Sequence, residues 1–324
     1  MRVSCRIWWL VALAAILPAF AAATDPIGVV TELQANGGRI EFRRGGAAWQ
    51  APRPLHAVYV GDEYRVLGPG RLVIVFAAEP GTVVLTKDNS PFIVANPEPP
   101  GLAKRLKSAT AEFVRDILGR RAYAPGGVSY LHSQQRAPGA ASLAIRGGGP
   151  KPLFIMGPRD TRVWRGDVTF DWSGPESRQY TVRLVGPAGF VWEGTGLERH
   201  PLRYAGAPAL APGSTYTWEL RMSEQSVDSA SFVIASEAEE SAVRGILADV
   251  RADGYPAATA AAMQVAVLMQ DGLYDAARRL LLEAIATSPK EPTLQVLLGA
   301  AYERIGLPDL ATRAYEEAES LIDR

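Results

Sequence analysis

Residues 272–289, GLYDAARRLLLEAIATSP, and residues 306–323, GLPDLATRAYEEAESLID, carry the pattern that decides the fold of the C-terminal part of the chain. Four positions of the first stretch recur 34 residues later, as the pairs Gly272/Gly306, Ala277/Ala311, Leu281/Tyr315 and Ala284/Ala318. A helix–turn–helix unit of this length cannot bury its apolar face alone, so it stacks on neighbours and presents a concave surface. The repeat therefore predicts helical hairpins that bind polypeptide.

Helix boundaries around this repeat follow from glycine and proline positions. The pattern predicts helices over 237–252, 257–270, 273–287, 291–304 and 308–322. Ser236 and Glu239 have the spacing of a capping box at the start of the first helix. Glu237, Glu239 and Glu240 cluster at this helix start, where the helix dipole favours carboxylates, and this explains them without any active site.

The segment 236–324 resembles tetratricopeptide (TPR) repeats. Its second copy has the small and large residues of the family pattern, at Gly299, Tyr302, Gly306, Ala311, Tyr315 and Ala318. In the first copy, Val265 stands where the family has a small residue. The resemblance implies a groove lined by the first helix of each hairpin. Its candidate partner-binding residues are Met269, Gln270, Thr293, Val296, Glu303 and Arg304, with the small residues Thr259, Ala262, Ala266 and Ala300 between them.

The groove has two alternative occupants. Two repeats are fewer than the three that a self-sufficient stack usually needs, so the helix at 237–252 or another chain completes the stack. Because many of the groove residues are small, the groove is either open to a peptide of an envelope partner protein or filled by the β-sandwich predicted at residues 153–235 of the same chain.

Residues 1–23 have the features of a secretory signal peptide. Arg2 and Arg6 precede an apolar core, and Ala21 to Ala23 form a small-residue cleavage site. The alternative is an uncleaved anchor, but the apolar run of 17 residues is short for crossing a bilayer. We expect cleavage near Ala23, a periplasmic or secreted location and no transmembrane segment afterwards.

Removal of this signal also removes Cys5, the only cysteine, so the mature chain has no disulfide. It leaves 32 basic and 34 acidic residues, a net charge of −2. This balance argues against nucleic acid as a partner.

Residues 24–98 contain short β-branched runs between Gly and Asp turns, which predict an all-β domain. The order of Gly61-Asp62 and Gly70-Arg71-Leu72 resembles the FecR-type domain, a module named for a periplasmic regulator of iron-citrate uptake. The turn Glu79-Pro80-Gly81-Thr82 departs from the usual pattern of that family.

Two connecting segments follow. Residues 99–122 contain an amphipathic helix at 101–121 with a basic polar face, which suits either peripheral contact with an anionic membrane or packing on a β domain. Residues 123–152 are rich in glycine, serine and proline and predict a linker.

Residues 153–235 alternate apolar and polar side chains, which predicts an antiparallel β-sandwich. The stretch from Leu210 to Trp218 resembles the tyrosine corner of fibronectin type III and immunoglobulin-like domains, which implies that the Tyr216 hydroxyl binds nearby backbone. Trp164 and Trp192 are the candidate exposed aromatic residues, and a sugar-binding platform is one use for them.

No catalytic constellation accompanies these domains. His56, His132 and His200 are isolated in sequence, and no nucleophile elbow, phosphate-binding loop or metal motif is present. The sequence thus predicts a multi-domain α+β protein that is not an enzyme and uses no cofactor or metal. We expect an exported envelope scaffold or adaptor that binds protein partners through its TPR-like and β domains. The alternatives are a FecR-like protein of periplasmic sensing and signal transfer, and a cell-wall or glycan binder.

Overall fold

A computed structural model describes residues 26–77, 81–95, 153–175, 178–198, 200–222 and 225–322. It confirms the α+β class, because the strands form four sheets and five helices follow them, packed as hairpins. The predicted signal peptide (1–23), basic helix (101–121) and linker (123–152) lie outside the described residues.

The N-terminal module consists of two small antiparallel sheets. One sheet has the order β3-β1-β5-β6 and the other the order β2-β4-β7. Their inward side chains, among them Val30, Tyr64 and Leu72, form one buried cluster. The strands are β1 (Gly28–Gln34), β2 (Arg39–Arg43), β3 (Ala57–Val58), β4 (Glu63–Leu67), β5 (Arg71–Phe76), β6 (Thr82–Leu85) and β7 (Phe92–Ile93).

Strand β1 is buried on both of its faces, and its pairing with β5 is irregular in the middle. Val30 lies opposite Ile74, but the next paired residue is Glu32, so Thr31 is inserted as a bulge. A bulge turns successive side chains away from strict alternation. As a result both Thr31 and Glu32 extend toward the C-terminal helices.

The second β unit is a two-sheet sandwich with the strand orders β13-β10-β8 and β12-β11-β14-β15-β9. Trp172 and Trp218 are fully buried between the sheets. The Tyr216 hydroxyl accepts a hydrogen bond from the Ala211 amide at 2.8 Å, which confirms the expected tie to the backbone. The strands are β8 (Phe154–Gly157), β9 (Thr161–Val163), β10 (Thr169–Ser173), β11 (Tyr180–Gly186), β12 (Gly189–Leu197), β13 (Leu202–Arg203), β14 (Thr215–Met222) and β15 (Gln225–Ile234).

Each observed helix begins and ends within one residue of its predicted bounds. Ser236 and Glu239 form the expected capping box at the first of them. The helices are α1 (Glu237–Ala252), α2 (Ala257–Gln270), α3 (Tyr274–Thr287), α4 (Pro292–Arg304) and α5 (Pro308–Ile322).

The two hairpins, α2–α3 and α4–α5, turn at glycines in equivalent positions. Gly272 has a φ of 74° and Gly306 a φ of 73°, a left-handed conformation that glycine adopts without steric cost. Small residues then let the helices of a hairpin approach closely. Ala277 and Ala311, which are equivalent in the repeat, are both completely buried.

Gly299 and Tyr315 explain why the two repeats differ at one pair of positions. A Cβ placed on Gly299 would overlap the ring of Tyr315, so the large ring requires the glycine. The first repeat has Val265 and Leu281 at the equivalent positions, both fully buried. In the first repeat, Leu281 on the second helix is thus smaller than Tyr315, and Val265 on the first helix is correspondingly larger than Gly299.

We expect Gly299→Ala to lower the free energy of unfolding by about 1–3 kcal/mol, because the added methyl group overfills the contact with Tyr315. Chemical denaturation monitored by circular dichroism measures this loss. Gly245→Ala is the matched control within α1, since no atom lies near its Cβ position, and it should stabilise by up to about 1 kcal/mol. Adding Tyr315→Leu to Gly299→Ala should recover part of the loss, and no recovery would contradict the packing explanation.

Candidate functional site

The N-terminal end of α2 is completed by a side chain of β1. Pro256 occupies the N-cap position of α2 and makes no side-chain cap. The carboxylate of Glu32 instead accepts hydrogen bonds from the amide and the hydroxyl of Thr259, at 3.0 and 2.8 Å. The hydroxyls of Thr31 and Thr259 lie 3.0 Å apart. Strand β1 therefore supplies the cap that α2 lacks.

The N-terminal end of α4 also binds β1, but here the helix supplies the carboxylate and the strand supplies the amide. Glu291 is the N-cap of α4, and its carboxylate accepts a hydrogen bond from the amide of Thr293 at 3.2 Å. Both carboxylate oxygens also accept from the backbone amide of Leu33, at 3.1 and 3.2 Å. Thr293 lies 34 residues after Thr259, so the first turns of the equivalent helices α2 and α4 both bind β1, through Thr259 in α2 and through the N-cap Glu291 in α4.

We call this contact the strand junction; it comprises Thr31, Glu32, Leu33, Thr259, Glu291 and Thr293. Its two carboxylates are almost inaccessible, since Glu32 is 2% and Glu291 1% exposed. The nearest cation is Arg71 of β5, which lies 3.4 Å from Glu32 and whose side chain is 37% exposed. Within the described part of the chain, Glu32 thus has a half-exposed guanidinium as its ion-pair partner, and no ion pair is seen for Glu291.

Burial raises the pKa of Glu291 to about 7. The negative charge of Glu32 raises it further, whereas the hydrogen bonds from Thr293 and Leu33 oppose the shift. A carboxyl group with this pKa changes its protonation between mildly acidic and neutral pH.

Apolar contacts surround the strand junction. Val29, Leu55 and Val75 of the N-terminal module belong to the same buried cluster as Ala262 and Leu294 of the helices. The module therefore covers the first helices of both hairpins with apolar side chains as well as with polar ones.

The sandwich contacts the opposite side of the hairpins at a second place, which we call the sandwich junction. The carbonyl of Gly272, in the turn between α2 and α3, accepts hydrogen bonds from the Arg162 amide at 2.8 Å and the Thr161 hydroxyl at 3.0 Å. Arg279 of α3 pairs with Asp167 of the sandwich at 2.8 Å. The turn and the following helix are thereby tied to β9 and its loop.

Arg278 is the central residue of the sandwich junction. It is 1% exposed and donates to Asp275 of its own helix at 2.9 Å and to Asp171 of β10 at 3.0 Å. Burial alone would lower its pKa, but the two carboxylates outweigh burial and raise it, so the guanidinium stays charged. Asp171 also lies 3.2 Å from His200, which is thus a neighbour of the ion pair.

The structure divides the predicted partner-binding residues into two groups. Met269 and Thr293 are buried, and Val296 and Glu303 are half-buried. Gln270 and Arg304 are exposed, and they occupy equivalent positions in the last turns of α2 and α4. The proposed groove is filled, but its occupant at the strand junction is β1 of the N-terminal module rather than the sandwich.

The expectation of an exposed Trp164 is wrong, because this side chain is only 5% exposed. It packs in the core of the helical domain, and the guanidinium of Arg244 lies over its ring at 4.1 Å. Trp192 is half-buried and stacks on Phe170, with ring centroids 6.1 Å apart. Burial of Trp164 therefore removes one of the two candidate rings for a sugar platform, and Trp192 is partly engaged within the sandwich.

Sequence reasoning missed the ionic residues of both junctions, although two signals pointed to Glu32. Thr31 and Glu32 interrupt an apolar strand, which indicates a polar contact on a buried face. Pro256 at the start of α2 has no side-chain acceptor, so the cap had to come from elsewhere. Arg278 gave no such signal, because an exposed arginine on α3 would give the same pattern.

No protein-family model matches the chain, and no curated protein matches it. Among the described residues, no helix has both the length and the apolar character needed to cross a bilayer. The same residues contain no group of three or more His, Cys, Asp or Glu side chains arranged to hold a metal ion.

We expect Arg278→Ala to lower the free energy of unfolding by about 3–5 kcal/mol, because it removes the buried guanidinium that Asp171 and Asp275 share and leaves Asp275 with the partly exposed Arg279, at 3.2 Å. Urea denaturation of the full chain measures this loss. Arg313→Ala, on the exposed face of α5, is the control and should leave stability almost unchanged. Combining Arg278→Met with Asp171→Asn and Asp275→Asn should restore much of the stability; a loss as large as that of Arg278→Ala would contradict the role of charge.

Proposed function

We propose that this protein is a non-catalytic, exported scaffold of the cell envelope that acts as an adaptor for protein partners. In this proposal the helical repeats hold the N-terminal module and the sandwich in a fixed arrangement. Partners then recognise the surface that this arrangement presents. Export rests on the signal-like residues 1–23.

The observation that carries the proposal is the use of both sides of the helical hairpins for contacts within the chain. The first helices bind β1 through Glu32 and Glu291, and the turn at Gly272 with Arg278 binds the sandwich. Buried polar contacts of this kind favour one arrangement of the parts, because breaking them leaves buried polar groups without partners. They are typical of a structural role, because each buried charge is engaged in holding two modules together.

The exposed residues Gln270 and Arg304 remain the best candidates for contact with a partner. They repeat at the spacing of the hairpins, so an extended segment can reach both. Arg304 lies over the ring of Tyr274, with 6.0 Å between the guanidinium carbon and the ring centroid. The glycan-binding alternative has less support, because both candidate tryptophans are packed against other side chains.

Site-specific photo-crosslinking in intact cells tests the adaptor proposal. A photoreactive residue at Gln270 or Arg304 of the full chain should give the same protein adduct from both positions, since both lie on one proposed surface. Leu282, which is 41% exposed on α3, is the control position and should not give that adduct. Different adducts from the two sites, or the same adduct from all three, would count against the proposal.

The predicted export has its own measurement. The mass of the protein purified from the envelope fraction should correspond to a chain that begins just after Ala23. An intact N-terminus that stays with the inner membrane would instead identify an anchored scaffold.

A further inference from the structure

Among the residues that the structure describes, no buried cation balances the two acidic side chains of the strand junction. Glu32 on β1 and Glu291 on α4 are both nearly inaccessible, and each already accepts hydrogen bonds from the other element or its neighbour. Arg71 of β5 reaches only Glu32 and is partly exposed. Helix α2 contains no ionisable residue, and at this contact it contributes the uncharged Thr259.

Two ionised carboxylates in such a site are unfavourable, because burial removes their hydration and each repels the other. A proton is the smallest charge that can restore balance without a change in packing. A neutral carboxyl at Glu291 can keep the hydrogen bonds from Leu33 and Thr293, since its carbonyl oxygen still accepts.

We propose that the strand junction is a proton-controlled contact, in which a proton held by Glu291, next to Glu32, keeps the N-terminal module docked on the helices. Loss of this proton leaves two negative charges facing one arginine and loosens the docking of β1. The β module itself stays folded, because its core lies on the other face of its sheet.

The direction of the pH effect follows from the proton balance. The pKa of Glu291 is about 7 in the docked state, above the ordinary value of 4.5 that it regains when the junction opens. The docked state therefore binds more protons, so docking is strongest at acidic pH and weakens as pH rises through about 7.

Val29 and Val30 provide a matched pair of reporters for this opening. Both side chains are completely buried, but Val29 belongs to the core shared with the helices and Val30 to the core of the β module. Val29→Cys becomes reactive when the module undocks, whereas Val30→Cys becomes reactive only when the module unfolds. Both reporters are placed in the full chain with Cys5→Ala, because this substitution removes the only native cysteine.

The experiment measures the rate of thiol labelling between about pH 5.5 and about pH 8, each time in the native background and with Glu291→Gln added. Glutamine keeps the acceptor for Leu33 and Thr293 but carries no charge. At each pH, the rate in the native background is divided by the rate with Glu291→Gln, which removes the intrinsic pH dependence of thiol reactivity. For Val29→Cys this ratio should rise by on the order of tenfold across the range, and for Val30→Cys it should stay constant.

A constant ratio for Val29→Cys, or a ratio that falls with rising pH, would overturn the proposal. An equal rise for Val30→Cys would also overturn it, because the module would then unfold rather than undock. Glu32→Gln is the second variant: removing the neighbouring charge lowers the pKa of Glu291 toward its ordinary value, so the rise in Val29→Cys labelling should be smaller and should be complete at lower pH. An unchanged transition in this variant would show that the two carboxyl groups do not act as a pair.

Discussion

Helix α2 begins at a residue that cannot cap it, and much of the structure depends on how this deficiency is met. The acceptor for the Thr259 amide in its first turn is Glu32, which precedes Thr259 by 227 positions in the chain. A buried helix end without a partner costs free energy, so α2 is complete only when β1 is docked against it. The N-terminal module and the helical hairpins are consequently parts of one folded structure, although most of the chain separates them in sequence.

The composition of α2 has the same consequence. This helix is rich in alanine, contains no ionisable residue and is buried along almost its whole length. A helix that is apolar all round is stable only inside a core. It contacts α1, α3, α4 and β1, and thus forms the centre of the C-terminal half. The hairpins use their first helices to build this core, which leaves their last turns, near Gln270 and Arg304, at the surface.

Local signals in the sequence predicted the helices well and the junctions poorly. The helix bounds depend on prolines, glycines and caps within a few residues, and Ser236 with Glu239 shows that such short-range chemistry is readable. The partners of Glu32 and Arg278 are set by tertiary packing, which no periodicity encodes. Trp164 was misassigned for the same reason, because the helices that bury it follow the sandwich in the chain.

The polar contacts of the strand junction also determine how β1 is aligned on the helices. Strand β1 is buried on both faces, so its alternation of side chains does not distinguish one alignment on the helices from the next. A slip by one residue would exchange Val29 for Val30 at little cost in buried apolar area. It would, however, remove Glu32 from Thr259 and the Leu33 amide from Glu291, and leave buried polar groups without partners. The bulge at Thr31 and the two carboxylates therefore select a single alignment that apolar packing alone leaves open.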